Sequence, residues 1–346
     1  MRALLLILLL YIPLLGLAET LQSYHPHAGR EQPLVAVVGE NRMTELVDFM
    51  VPFGLLSRAG VAKVVALSTR KGPLQLMPAL KVEAQATTAE FEQDYPEGAD
   101  YLIVPAVHHS DDPILTAFVA DQAARGATIV GICDGVLVLG HAGLLHGRRA
   151  TSHWYSKAQR EEDFPDTRWQ VNRRYVVDGK LVTSSGVSAA LPVSLALVQA
   201  IAGEAKTIAF AREIGLAGWS AEHQSQTFAF GPGGYLTAVA NYLAFWRHET
   251  LTLALRPGLD EASLALRADA WARSFRTDVL AVGDGPVRTR HGLVLLPDAS
   301  MGGKSALPDS NAPPGQVLDE TLDDIVARYG GATATFVAAQ LEYPRR

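Results

Sequence analysis

The stretch Ala127-Thr128-Ile129-Val130-Gly131-Ile132-Cys133-Asp134-Gly135-Val136-Leu137-Val138-Leu139-Gly140 decides how the centre of this chain folds. An apolar β-type run, a Gly-x-Cys-x-Gly turn and a second apolar run predict a strand, a sharp turn and a helix. Such a turn is a nucleophile elbow with sulfur in place of oxygen. At a helix N-terminus the backbone N–H groups are expected to favour a thiolate. The alternative is that Cys133, the only cysteine, is a small buried hydrophobe.

Strand-like and helix-like segments alternate on both sides of this turn. Together they predict a doubly wound, mostly parallel α/β sheet of the flavodoxin-like kind over residues 33–203. In such sheets the active crevice lies at the carboxyl ends of the strands, where Cys133 is placed. The predicted strands are 34–38, 62–67, 101–105, 127–130, 175–177 and 180–184, and the predicted helices are 44–59, 113–125, 136–140 and 189–202.

Residues 204–346 are predicted to form a C-terminal α/β extension. Residues 251–297 repeat the strand, helix and strand order of residues 34–83, which predicts a partial repeat packed on the first domain, although any βαβ unit would give the same order. Gly231-Pro232-Gly233-Gly234 predicts a turn, residues 299–316 a loop, and residues 319–329 a closing helix.

Composition narrows the classes of function. The chain has 346 residues, 48% of them hydrophobic, and a net charge of −6. This balance is typical of a globular protein with a large core, and it gives no global attraction to nucleic acid. A small-molecule substrate is therefore the expected partner, with no nucleic acid.

The N-terminus predicts export. Arg2 precedes an apolar run from Ala3 to Ala18, and small residues end that run, as in a secretory signal peptide. The run is short for a membrane span of about 20 residues, so residues 1–18 are expected to be cleaved, leaving no stable span. The expected location is periplasmic or secreted, and the alternative is anchoring by the uncleaved segment.

A cysteine nucleophile needs a base or a charged partner, which is usually distant in sequence. Asp48 lies on the otherwise apolar face of the first predicted helix, and Glu45 lies one turn earlier. Buried acids are rare without a role or a partner. His153, in Thr151-Ser152-His153-Trp154, is expected beside the elbow, where it is either a catalytic residue or a structural histidine.

The segments Gly131–Gly135, Ala142–Trp154 and Thr183–Ala189 resemble the ThiJ/PfpI family of the glutamine-amidotransferase-like superfamily. The resemblance is narrower to the branch of isonitrile hydratases and the ligand domains of AraC-type regulators, and it covers about residues 33–203. It implies that Asp48 is the acidic partner of the thiol. It also implies supporting positions at Asp134 and Gly135 in the elbow and at Ala106 in the oxyanion loop. Relatives of this fold often form homodimers, so a homodimer is expected.

Two departures from the family pattern bear on activity. Asp134 stands where peptidases of the family carry histidine, which argues against peptidase activity. Pro105-Ala106-Val107 replaces the Pro-Gly-Gly whose amides commonly build the oxyanion hole. No cofactor or metal is predicted, and the adjacent His108 and His109 are expected to be solvated.

Three functions remain open. The first is an exported hydrolase or hydro-lyase in which Cys133 attacks a small electrophilic carbon, Asp48 shares the proton, and His153 orients or polarises. The second is a non-catalytic small-molecule-binding or redox-sensing module that uses the same thiol. The third is a regulator-like domain without a DNA-binding part, because no convincing helix-turn-helix follows residue 203.

Overall fold

The computed structural model describes residues 19–26, 29–303 and 305–344. The predicted signal peptide, residues 1–18, lies outside the described residues. Within these ranges, no helix has both the length and the apolar character needed to cross a membrane.

The described residues form 17 strands and 11 helices, joined by loops and short 3-10 turns. The strands are β1 (Leu34–Gly39), β2 (Thr44–Glu45), β3 (Lys63–Ser68), β4 (Leu74–Met77), β5 (Lys81–Glu83), β6 (Ala86–Thr87), β7 (Tyr101–Val104), β8 (Thr128–Gly131), β9 (Arg149–Ala150), β10 (Arg168–Trp169), β11 (Tyr175–Asp178), β12 (Leu181–Ser184), β13 (Glu249–Ala254), β14 (Thr277–Val282), β15 (Val287–Arg288), β16 (Val294–Leu296) and β17 (Ser305–Ala306). The helices are α1 (Leu46–Ala59), α2 (Thr88–Asp94), α3 (Pro113–Ala124), α4 (Gly135–His141), α5 (Lys157–Asp163), α6 (Ala190–Ala202), α7 (Glu204–Glu213), α8 (Pro232–Leu243), α9 (Glu261–Ala272), α10 (Val317–Tyr329) and α11 (Gly331–Gln340).

The central sheet has seven strands in the order β11-β12-β8-β7-β1-β3-β6. All neighbouring pairs are parallel except β11 with β12, which form a hairpin whose turn begins at Asp178-Gly179. Alternate residues of β1 enter two apolar layers, one shared with α1 and α6 and the other with α3 and α4. The predicted flavodoxin-like α/β fold is therefore confirmed.

The C-terminal part packs on α1 and on the β4–β5 hairpin. Helix α9 crosses α1 so closely that a Cβ atom on Gly54 would lie 2.9 Å from the Cβ of Glu261, so this crossing needs glycine. Strand β16 pairs with β5 and joins the β15–β16 hairpin to the β4–β5 hairpin. Strands β13, β14 and β17 form a separate parallel sheet.

One local prediction is wrong. The segment Gly231–Gly234 starts α8 at Pro232 and does not form an isolated turn. Proline is favoured at the first position of a helix, where its missing N–H has no partner to lose, and the run from Tyr235 to Leu243 then continues the helix.

Candidate functional site

Cys133 stands on the turn between β8 and α4, with a φ of 55°. The turn depends on glycine, because a Cβ atom on Gly135 would lie 2.1 Å from the carbonyl oxygen of Val104. A left-handed φ is strained for a non-glycine residue, and such strain occurs at sites where geometry serves function. The predicted strand, sharp turn and helix are present, and the thiol is buried at 5% exposure.

A buried acidic cluster lies beside the thiol. Glu45 caps α1 and accepts a hydrogen bond from the Asp48 N–H at 2.6 Å through Oε2. Asp48 is fully buried, and its Oδ2 accepts a hydrogen bond from the Ala106 N–H at 3.1 Å. Within the described part of the chain, no donor is assigned to Asp48 Oδ1, although the Asp48 and Glu45 carboxyl groups lie close enough to share a proton.

The C-terminal part supplies an arginine to this cluster. Arg273, at the end of α9, donates to Glu45 Oε1 at 2.6 Å and to Asp269 Oδ2 at 2.7 Å. Asp269 is itself fully buried. Three carboxyl groups therefore meet one guanidinium, which cannot neutralise all three at once, so burial favours keeping a proton on the remaining acids.

The pKa values reflect this shortage of positive charge. Burial raises the pKa of Asp48 to about 7, against the lowering effects of the Ala106 N–H and of Arg273. Burial also raises the pKa of Glu45 well above its ordinary value, helped by the charges of Asp48 and Asp269 and opposed by Arg273. The Glu45–Asp48 pair can thus hold a proton near neutral pH, the range in which a general acid or base is most effective.

The Asp48 carboxyl predicts a pH dependence of stability. Its pKa is about 3.9 in the unfolded chain and about 7 in the fold, so the folded state binds the proton more tightly. Stability is then greatest at low pH and falls as the pH rises from about 4 to about 7, by up to about 4 kcal/mol. Urea unfolding of the wild type and of Asp48→Asn at about pH 4 and about pH 8 measures the effect. Asp48→Asn should gain stability relative to the wild type at the higher pH, and an equal difference at both values contradicts the assignment.

The site does not favour the Cys133 thiolate that the sequence predicts. Burial raises the pKa of the Cys133 thiol well above its usual value, and the charges of Asp48, Asp134 and Glu45 raise it further. The Asp134 N–H at the start of α4 lowers it, as the sequence predicts, but a single N–H is outweighed by desolvation and three nearby acids. Cys133 is therefore a protonated thiol at neutral pH.

Alkylation of the only cysteine tests this protonation state. The rate of iodoacetamide modification should still be rising with pH beyond about 8.5, the usual thiol pKa, because only the thiolate reacts. Asp48→Asn should move the profile to lower pH, since it removes a charge that raises the thiol pKa. A wild-type rate that levels off at or below about pH 8.5 would contradict the raised pKa. Modification followed by intact mass reports Cys133 alone.

His153 lies close to the thiol, but its ring nitrogens are already engaged. Its Nδ1 accepts from the Tyr155 N–H at 3.2 Å, which leaves Nε2 to donate to the carbonyl oxygen of Gln340 at 3.0 Å. Such a ring is held in one orientation. Within the described residues, neither His153 nor Asp48 hydrogen-bonds to the Cys133 sulfur. The geometry favours a positioning role for His153 over proton transfer.

Asp134 and Ala106, two of the predicted supporting positions, make different contacts. Asp134 Oδ1 accepts hydrogen bonds from Ser152 at 2.9 Å and Ser156 at 2.6 Å, which ties the elbow to the segment that carries His153. The Ala106 N–H is directed at Asp48, so it is engaged with the acid and not free to stabilise an oxyanion.

Cys133, Asp134 and His153 each offer a ligand atom within 4.8 Å of the other two, a sulfur, oxygen and nitrogen set suited to a soft or borderline metal ion.

A cleft of about 680 Å³, here called the Cys133 pocket, opens above this site. Its polar lining includes Glu45, Arg273 and Gln340, and the rest is largely apolar. Both parts of the chain form its walls, and the larger apolar and aromatic side chains are Met43, Met77, Trp154, Tyr155, Val187, Phe230, Tyr235, Phe275 and Phe336. The size and lining suit a small, mainly apolar ligand.

The structure thus brings together Cys133, Asp48, Glu45, His153, Asp134, Gly135 and Ala106. Sequence reasoning missed Arg273 and Asp269. Their spacing of four residues on α9 is the ordinary spacing of a surface ion pair. A signal was available in Asp269, which interrupts the apolar run Leu264–Trp271 as Asp48 interrupts α1.

Comparison with known proteins gives three findings. Residues 34–200 match the model of the DJ-1/PfpI family. The isonitrile hydratase of Pseudomonas putida is 40% identical over 88 residues, which are 25% of this chain and 36% of that protein. The HTH-type transcriptional regulator CdhR of Pseudomonas aeruginosa is 35% identical over 86 residues, 25% of each chain.

Among solved structures, Drosophila melanogaster DJ-1beta is similar, with 21% sequence identity and a TM-score of 0.48. The match covers 54% of this chain and 99% of that chain. The chain spans about a third of the isonitrile hydratase and a quarter of the regulator, so neither protein's activity transfers directly.

Proposed function

We propose that this chain, whose residues 34–200 are a domain of the DJ-1/PfpI family, is a cysteine-dependent hydro-lyase or hydrolase for a small apolar electrophile. One observation carries the proposal: the only cysteine stands on a strained elbow in an apolar pocket, beside a buried carboxyl whose pKa is about 7. A nucleophile and a proton carrier matched to neutral pH are the two components that such chemistry needs.

The chemistry begins with a protonated thiol. Asp48 Oδ1 is unpartnered within the described residues and is the oxygen available to take the thiol proton as the sulfur attacks. Hydrogen bonds of this kind are often long before substrate binds and shorten in the complex. Arg273 hydrogen-bonds to Glu45 and not to Asp48, so Asp48 is the carboxyl proposed to exchange a proton with the thiol.

Isonitrile hydration is one reaction that this site could carry out, and it is suggested by the similarity to the Pseudomonas putida protein. The Cys133 sulfur bonds to the terminal carbon of R–NC, and the thiol proton, carried by Asp48, is delivered to that carbon to give a thioimidate. Water then adds across the C=N bond, with its oxygen bonding to the same carbon and a proton going to the nitrogen. The carbon–sulfur bond breaks, the sulfur regains a proton, and the product is the N-substituted formamide. Overall, R–NC and H₂O combine to give R–NH–CHO, and the reaction needs no oxidant or reductant.

The protonation state of the Cys133 thiol favours this function over redox sensing. Sensor cysteines are exposed and of low pKa, because peroxide reacts with the thiolate. Cys133 is buried and its pKa is raised, which favours chemistry in which a bound electrophile is attacked as the proton leaves. Asp134, in place of a histidine after the nucleophile, supports a small-molecule substrate over a peptide.

Export belongs to the proposal, since the apolar run Ala3–Ala18 favours it. Glu19, the first described residue, accepts a hydrogen bond from the Val177 N–H at 2.7 Å and pairs with Arg149. A chain cleaved after Ala18 would therefore keep its first residue docked. N-terminal sequencing of the protein from the periplasmic fraction tests this, with retention of Met1 in a membrane fraction as the contrary result.

A substrate panel tests the proposed reaction. Purified protein is incubated with small alkyl and aryl isonitriles, amides and activated carbonyl compounds, and products are followed by NMR. Turnover of at least one class is expected, with apolar substituents preferred because the pocket lining is apolar. Absence of turnover for every class, with protein that still binds the compounds, would support the alternative of a binding module.

A further inference from the structure

Helices α1 and α9 make the same contact twice, in opposite directions. Arg273, at the end of α9, pairs with Glu45 at the start of α1 at 2.6 Å. Arg58, at the end of α1, pairs with Asp260 at the start of α9 at 3.4 Å. Both the acids and the arginines are 215 positions apart in the sequence. Reciprocal contacts of this kind are the mark of two-fold related surfaces.

The surrounding elements follow the same relation. Strands β1 and β3 with helix α1 correspond to β13 and β14 with helix α9, and each strand pair is parallel. The β4–β5 hairpin corresponds to β15–β16, and the two hairpins meet through β5 and β16 in an antiparallel pair. An antiparallel pairing of equivalent strands is what a two-fold axis produces.

This relation gives the Cys133 pocket a counterpart. A second cleft of about 540 Å³, here called the arginine pocket, lies at the Arg58–Asp260 pair as the Cys133 pocket lies at the Arg273–Glu45 pair. No cysteine can occupy it, because Cys133 is the only one. Its chemistry is set by four arginines: Arg58, Arg256, Arg267 and Arg290.

The arginine pocket has more positive than negative charge. Arg58 and Arg290 share Oδ2 of Asp260, each at 3.4 Å. Arg256 and Arg267 share Asp309, at 2.7 and 2.9 Å. These two aspartates are the acidic residues lining the cleft, against four arginines. Glu213, outside the lining, also pairs with Arg58 at 2.8 Å, so three carboxylates are paired with four arginines and one positive charge remains uncompensated.

Arg267 has a buried N–H group without a hydrogen-bond acceptor among the described residues. Its side chain is only 7% exposed, and the group without an acceptor is Nε–H. A buried guanidinium N–H without a partner costs free energy, and a ligand oxygen would remove that cost. Arginine forks match the geometry of carboxylate and phosphate oxygens.

We propose that residues 249–296 are a second copy of residues 34–83, and that the arginine pocket between them binds an oxyanion ligand, a phosphate or a dicarboxylate. The excess of positive charge and the unpartnered Nε–H of Arg267 favour an anionic ligand. The buried Arg267 and the more exposed Arg256 and Arg290 all line the cleft and supply donors to it. This site is separate from the Cys133 pocket and does not depend on the proposed reaction.

Calorimetric titration with inorganic phosphate, and separately with succinate, tests the proposal at constant ionic strength set with chloride. Binding of at least one anion is expected, and the stronger of the two identifies the oxyanion class. Arg290→Gln should weaken that binding about tenfold or more, because it removes one of the charged donors. Arg288→Gln, two residues away and outside the pocket lining, is the matched control and should bind as the wild type does.

Asp309→Asn provides a test in the opposite direction. It removes a carboxylate that competes for Arg256 and Arg267, so the anion should bind more tightly than to the wild type. Neither anion binding above the chloride background would overturn the proposal, and so would equal losses in Arg290→Gln and Arg288→Gln. Thermal unfolding without anion checks that each variant is folded.

Discussion

Replacing Cys133 with serine should lower kcat/KM for any substrate that the chain turns over by about 10³-fold or more. The substitution keeps the size of the side chain but replaces a polarisable sulfur with a hydroxyl of much higher pKa, and no other cysteine can take over. The measurement is single-substrate kinetics on the wild type and on Cys133→Ser. Full activity in the variant would end the catalytic proposal, because the elbow would then serve only the fold.

Asp48→Asn tests whether the Cys133 nucleophile needs Asp48 as a proton carrier. The amide can still accept from the Ala106 N–H but cannot take the thiol proton, so kcat should fall by about 10²–10⁴-fold. Ser305→Ala, on β17 away from the pocket lining, is a control that should leave kinetics unchanged. If Asp48→Asn also keeps wild-type kcat, the proton must travel by a route that excludes this carboxyl.

The parallel sheet and the elbow were predictable because their signals are local. Apolar runs of strand length, a Gly-x-Cys-x-Gly turn and an Asp-Gly hairpin each determine structure within a few residues. Asp48 was predictable for a related reason, since an acid on an apolar helix face is costly unless something pairs with it. These features required no knowledge of which segments meet in space.

The rest of the site depends on contacts between distant segments. Arg273 reaches Glu45 across 228 positions of sequence, and nothing near either residue indicates the other. The same holds for the thiol pKa, because the helix N-terminus favours a thiolate while burial and three acids from other segments oppose it. The sign of the shift follows from the sum of these effects, which only the assembled fold determines.

Arg273 is the residue through which the C-terminal part completes the site, and its loss should have the largest effect on stability. Arg273→Met leaves Glu45 and Asp269 buried without their shared cation. Breaking a buried ion pair from one side typically costs about 3–5 kcal/mol. The free energy of unfolding, measured in urea at about pH 8, should fall by that amount, and less at about pH 5, where the stranded acids can take protons.

A second substitution distinguishes the buried charge from lost packing. In Arg273→Met combined with Glu45→Gln, the stranded carboxylate becomes a neutral amide that can still accept the Asp48 N–H at the helix start. Much of the lost stability should therefore return, giving a coupling free energy of about 0.5–3 kcal/mol in the double-mutant cycle. Additive losses would instead mean that Arg273 acts through its aliphatic packing. In that case the proton on the Glu45–Asp48 pair would be set by desolvation alone, and Cys133 alkylation would keep its pH profile in Arg273→Met.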